Sequence, residues 1–332
     1  MLVVVLALLA ALSNAAASVL QRRAAADEPE GGPGVRQAVR WLGHVLRRPY
    51  WLAGAGMLAL STVLQAAALS VGSLALVQPL MAAELLFTLV VGSVVFHRRP
   101  DRRTWLAFVA LAAGLAAFLI SASPTAGRDT ASAEQWLLTS AVVLSGVVVL
   151  VLAARPVRGA PRAARRGRGP GGGAVGGGGG RGGGARRGGG APRAALLGLA
   201  SAVSFSLTAA LLKEVTGRLP DGPAAVLGTW PVYATAVAGG VAFLLLQSAF
   251  RAGTLAASQP ALTLGDALTS VGLGWALFGE QITLGVRTVP ALVGVVLMGA
   301  GTAGLARAPS VAGDWDSAAR RPGAGPTARR VR

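Results

Sequence analysis

The stretch LALVQPLMAAELLFTLVVGSVVF, residues 74–96, decides how this chain folds. Its length suits a bilayer, because about 20 apolar residues in a helix cover a hydrocarbon core of roughly 30 Å. Two features interrupt it, Gln78-Pro79 near its start and Glu84 near its middle. A second version, residues 255–278, carries Gln259-Pro260 and then Asp266. A charge at the centre of a spanning helix costs about 2.5–3.5 kcal/mol on insertion scales, so each acid needs a reason to be there.

Outside these two runs the same apolar character persists. The chain has 332 residues, 53% hydrophobic and 13% charged, with a mean hydropathy of +0.59. One soluble core of this length would use far less apolar material. Seven further runs, at 2–20, 51–71, 105–120, 136–154, 194–212, 226–250 and 289–305, bring the expected spans to nine. The first lacks the basic n-region of a cleaved signal peptide. It also aligns without a gap to 194–212 through Leu8/Leu199, Ala11/Ala202, Ser13/Ser204 and Leu20/Leu211, so it is read as a retained span.

The formal charge of +18 sits almost wholly between these runs. Arg22, Arg23, Arg36, Arg40, Arg47 and Arg48 follow the first span, and Arg98, Arg99, Arg102 and Arg103 follow the third. Residues 155–193 hold ten arginines, no acid, no aromatic and long glycine runs, the composition of a disordered linker. Nine spans from an outside N-terminus place every arginine-rich loop and the basic tail in the cytoplasm, as positive charge on cytoplasmic loops requires. The expected location is the cell membrane, with the C-terminus cytoplasmic. Anionic lipid headgroups are the partner these arginines suit. Without interleaved aromatics, no specific nucleic acid is expected. A homodimer is compatible with this layout.

The two Gln-Pro runs belong to a longer repeat. Pro79 and Pro260 differ by 181 positions, and that offset also pairs Leu74, Ala75, Gln78, Thr88 and Val90 with identical residues. Leu64-Gln65 and Leu246-Gln247 precede the two runs at nearly equal distance, and Arg103-Thr104 and Arg287-Thr288 each open the next span. Spans one to four thus resemble spans six to nine, and the odd fifth span inverts the second copy, a plan common among secondary transporters. The expected fold is an all-α polytopic membrane protein of nine helices, built as two inverted four-helix repeats joined by a linking helix. Its expected segments are a first repeat 1–122, a linking span 123–154, the Arg/Gly linker 155–193, a second repeat 194–306 and a basic tail 307–332.

The Gln-Pro helix, then Leu277-Phe278-Gly279-Glu280-Gln281-Ile282-Thr283, then a closing helix with Gly294, Gly299, Gly301 and Gly304, resembles the second repeat of the drug/metabolite transporter superfamily. The nine-span layout is most similar to its EamA-like and NIPA-like, magnesium-transporter-related branch. The resemblance covers both membrane halves but not the loops or tail, and the first half departs from it, since Arg99 stands where Glu280 would match. It implies a transporter of a small solute, either a metabolite or a cation such as Mg²⁺, working by alternating access.

Candidate residues for a substrate or proton pathway are Glu84, Asp266, Gln78, Pro79, Gln259, Pro260, Thr263 and Asn14. Gln259, Thr263, Asp266 and Ser270 share one helical face by their spacing. Proline removes a backbone donor and frees carbonyls that can line a path. Each feature also has a plainer reading: an acid paired with Arg251 or Lys213, glutamines that tie helices, and prolines that are common in membrane helices. Glu84 and Asp266 are offset by one residue in the repeat, so they need not do the same work. If Mg²⁺ is the solute, these two acids would be its ligands. Glu280 is expected at an outer helix end as a boundary marker. Trp41, Trp51, Trp105, Trp136 and Trp230 are expected as interfacial anchors. The alternative class is a non-transporting scaffold or sensor acting through the linker. With no cysteine, two histidines, and no phosphate loop or nucleophile elbow, no enzyme and no cofactor are expected.

Overall fold

A computed structural model describes residues 1–26, 49–95, 100–125, 127–155, 190–253, 255–281 and 288–307. Among them, nine helical segments are long and apolar enough to cross a membrane, the number read from the sequence. The expectations for residues 27–48, for nearly all of the arginine-glycine linker, for Ile282-Thr283 and for the tail beyond Arg307 fall outside the described residues.

The helices are α1 (Leu2–Ala26), α2 (Pro49–Ser70), α3 (Leu74–Met81), α4 (Glu84–Val95), α5 (Arg102–Ala122) and α6 (Ala133–Ala153), followed by α7 (Gly190–Gly217), α8 (Pro223–Leu227), α9 (Trp230–Ala252), α10 (Leu255–Phe278) and α11 (Thr288–Leu305). Local chemistry sets several of these ends. Asp101 caps α5 by accepting from the hydroxyl and the N–H of Thr104, and those bonds hold its carboxyl below the usual carboxylate range. Ser132 and Gln135 form a reciprocal capping box that starts α6. The seventh span starts later than residue 226, because Val226 belongs to the short α8. Pro231 then sits in the first turn of α9, where its missing N–H costs nothing.

The third span is two helices. Pro79 lies inside α3, and beyond it the N–H groups of Ala82, Ala83 and Leu85 bond three residues back, to Pro79, Leu80 and Ala82. This tight turn separates α3 from α4 and leaves Glu84 as the first residue of α4. Pro260, in contrast, lies within an unbroken α10. The two prolines therefore do not act alike.

The third and sixth spans form the centre: 61% of the residues in an apolar 18-residue stretch of each are buried, against 17% in the fifth and 11% in the seventh, which face outward. Helix α1 packs on α2, α3 and α4, α7 packs on α9, α10 and α6, α5 packs on α11, and α3 packs on α10. The Ser61 hydroxyl donates to Ala10 O (2.8 Å) between α2 and α1, and the Ser201 hydroxyl donates to Ala242 O (2.9 Å) between α7 and α9. The α5–α11 crossing brings two helix backbones together at glycines. A Cβ on Gly114 would lie 2.7 Å from Gly294 O, and one on Gly294 would lie 2.6 Å from Phe118 N. Small residues let the two backbones touch, as in the small-xxx-small packing of membrane helices.

Candidate functional site

The mid-depth acids each bind a neighbouring helix. Asn14 Nδ2 of α1 donates to Glu84 Oε2 at 2.7 Å. Because the chain turns at Ala82-Ala83, Glu84 stands at the start of α4, the end of a helix that favours a negative charge. On the other side, the Ser206 hydroxyl of α7 lies 2.7 Å from Asp266 Oδ1 and 3.0 Å from the Asp266 backbone oxygen. Asn14, Glu84 and Asp266 are half-buried, and each acid is held by a polar partner on a neighbouring helix. Ser206 went unrecognised in the sequence, one small polar residue among several on that helix. Gln78 and Pro79 are buried on α3, while Gln259, Pro260 and Thr263 are half-buried on α10. Ser270, one turn beyond Asp266, is fully buried and its hydroxyl has no hydrogen-bond partner.

A second polar cluster lies at the end of the bundle where α3 begins. Glu280 is completely buried rather than a boundary marker. Its Oε1 accepts from Leu74 N–H at 2.7 Å and its Oε2 from Ala75 N–H at 2.8 Å, so it caps α3 in place of Ser73, whose own hydroxyl is buried without a partner. Lys213 Nζ forms an ion pair with Glu280 Oε1 at 2.5 Å, donates to Gly72 O at 3.3 Å and stands 4.8 Å from the Phe278 ring centre. The suggestion that Lys213 serves Glu84 or Asp266 is therefore corrected: its carboxylate is Glu280.

Beside this pair, Glu214 is also fully buried. Its Oε1 takes Arg218 Nη2 at 2.8 Å, and its Oε2 takes Ala131 N–H at 2.9 Å and Trp136 Nε1 at 3.2 Å. Trp136 is thus a buried donor, not an interfacial anchor. Trp105 and Trp230 do keep half-exposed rings, and Trp230 meets Trp136 edge-on at 5.4 Å. At the opposite end, Arg23 of α1 donates to Val95 O at 3.1 Å and lies over the Tyr50 ring.

The sequence hid the Lys213–Glu280 cluster because Lys213-Glu214 follows a long apolar run and looks like the polar edge of a span. Helix α7 continues to Gly217, which at 1.5 Å per residue makes it about 42 Å long and carries both charges inside the bundle. Among the described residues, no group of three or more His, Cys, Asp or Glu side chains is placed to hold a metal ion. A shallow dent between α5, α10 and α11, too small to admit a water molecule, is lined by apolar side chains, Phe118, Leu264 and Met298 among them, and lacks the polar groups a solute would need.

Nine helices among the described residues, each long and apolar enough to cross a bilayer, make this a multi-pass helical membrane protein. Over 285 residues the chain is 26% identical to a protein of Corynebacterium glutamicum described only as uncharacterized, an alignment covering 85% of this chain and 86% of that one. No family model and no solved structure matches it.

Proposed function

We propose that this protein is a secondary transporter of the drug/metabolite type, moving a small solute across the cytoplasmic membrane by alternating access between two inverted repeats. The observation that carries the reading is a pair of hydrogen bonds at matching positions. Ala10 and Ser201 differ by the 191 positions that align the first and sixth spans, and Ser61 and Ala242 by the 181 that relate the Gln-Pro runs. The bonds Ser61–Ala10 and Ser201–Ala242 therefore join the same two positions in each copy, with donor and acceptor exchanged.

The acids follow the same logic. Relative to Asn14 and Glu84, Ser206 and Asp266 are each displaced by one residue, so acid and donor shift together. The one-residue offset read in the sequence is thus an offset of the whole pair, and it is compatible with related roles. The packing supports the inversion too: an axis exchanging the copies pairs α5 with α11 and α3 with α10, both of which touch. In this reading the N-terminus and the Glu280 end face outward, and the solute sits between the repeats near Glu84, Asp266 and the broken third span.

The test is flux in proteoliposomes under a solute or proton gradient. Hydrogen bonds to charged groups are worth about 1.5–3 kcal/mol. Glu84→Gln and Asp266→Asn are accordingly each expected to lower uptake roughly ten- to a hundredfold. Unchanged uptake and unchanged response to the proton gradient in both variants would remove these acids from the path.

A further inference from the structure

Alternating access requires the two ends of the bundle to open in turn, and the inference drawn here rests on that reading. The end where α3 begins is fastened by specific polar contacts as well as by packing. Three elements from both halves of the chain meet on one carboxylate: Glu280 after α10, the first N–H groups of α3, and Lys213 of α7. Gly279, with φ of +64°, turns the chain so that Glu280 N–H returns to Gly274 O at 3.0 Å and its side chain points back into the bundle. That left-handed conformation is one that glycine adopts without penalty.

The segment between α5 and α6 lies across this end as a strap. Arg128 N–H donates to Phe278 O at 2.7 Å, Thr125 forms an isolated antiparallel bridge with Gln281, and Ala131 N–H reaches Glu214. Gly127 presses on the same carbonyl, and a Cβ there would run into Phe278 O. Two buried hydroxyls, Ser73 at the head of α3 and Ser270 on α10, have no partner while this end is shut. Burying an unsatisfied hydroxyl is unfavourable, and both would be hydrated if α3 and α10 parted.

We infer that Glu280 is the latch of a gate. With the strap over it, its carboxylate closes the way from this face toward Asp266, and the way opens when Glu280 leaves Lys213 and the α3 N-terminus. The helix start and the ammonium both favour an anion, and that anion stands just past Gly279, outside both α3 and α7. The latch can therefore part by a movement at the end of α10, without unwinding any span.

The chain has no cysteine, so Ser270→Cys supplies a single thiol nearly the size of the side chain it replaces. In lipid nanodiscs, where a membrane-impermeant maleimide reaches both faces, this reporter should label slowly in the otherwise native protein. Adding Lys213→Met together with Glu280→Gln removes both charges at once, and it should speed labelling about tenfold or more, since the rate follows the open population. Gly127→Val displaces the strap without altering a charge and should act in the same direction. A Ser258→Cys reporter, buried near the other end of α10, should stay slow throughout. Unchanged labelling of Ser270→Cys in both unlatched backgrounds overturns the gate, as does an equal gain at Ser258→Cys, which would make Glu280 a residue that holds the whole fold.

Labelling requires no knowledge of the solute, so it stands or falls apart from the transport reading. The link between them is Thr125→Cys with Gln281→Cys. Facing residues of an antiparallel bridge have Cα atoms about 4.5–5.5 Å apart, within disulfide reach. Oxidation of this pair should stop uptake and reduction should restore it, whereas full uptake with the strap cross-linked overturns the gate.

Discussion

Gly294→Val is expected to destabilise the protein severely, and Gly114→Val to do the same, whereas Gly240→Val is expected to be nearly silent. The contrast lies in what a side chain would meet. At Gly114 and Gly294 the nearest atoms are backbone atoms of the facing helix, including Met298 N at 2.5 Å and Phe118 N at 2.6 Å. A flexible side chain can swing aside, but a helix backbone cannot, so α5 and α11 must separate along the crossing. Over-packing costs about 1–3 kcal/mol where a core can adjust, and this site falls at or above the top of that range. Separation would also strand Gly301 and Gly304, packed against Leu111 and Ala107 farther along the same face. Gly240 on α9 has open space around it, so the same substitution there tests whether valine in a spanning helix is harmful in itself. Unfolding followed by tryptophan fluorescence in mixed micelles compares the three. If Gly294→Val proves as mild as Gly240→Val, the crossing is not what holds the fourth and ninth spans together.

How much of this was legible in the sequence depends on the range of the interaction. Span number follows from local composition, and the nine apolar runs appear among the described residues as nine helices long enough to cross, since a helix satisfies its own backbone in an apolar setting. The acids at Glu84 and Asp266 were visible because a charge within an apolar run is costly wherever the partner lies. Partners were harder to read. Nothing local distinguishes Ser206 from Ser204, yet Ser206 reaches Asp266 while Ser204 bonds back to Ala200 on its own helix. Pro79 and Pro260 each follow a glutamine in an apolar run, but α3 ends two residues after Pro79 and α10 runs on 18 residues past Pro260. Glu280 and Lys213 lie 67 positions apart, each at the edge of an apolar run. Edge charges usually snorkel to water, and these two are buried because the strap and the head of α3 cover them. Trp136 misled for the same reason, since a tryptophan at a span edge is normally an anchor, and only Glu214 beneath it makes it a donor.

The Lys213–Glu280 pair makes the other large prediction, and its two single variants should differ. Both side chains are buried, 3% and 0% exposed, so removing one partner leaves a charge without its counter-ion, a loss of about 3–5 kcal/mol. After Lys213→Met, Glu280 keeps two charge-assisted bonds from Leu74 and Ala75 N–H and the positive end of α3, so the loss should fall at the lower end. After Glu280→Gln, Lys213 keeps only the long bond to Gly72 O and the Phe278 ring, while the amide must present an NH₂ where two N–H groups expect an acceptor. That variant should sit at the upper end. The double variant leaves no orphan charge and is expected to recover most of the combined loss, because replacing a buried pair is often close to neutral where breaking it is not. Unfolding free energies of the four proteins close a double-mutant cycle. Strict additivity would mean the two charges do not act as a pair, and the ion pair would then be an accident of proximity. Strong coupling with a well-folded double variant would instead mean that the fold tolerates loss of the contact. The energy of the pair would then be free to govern the opening of one end of the bundle.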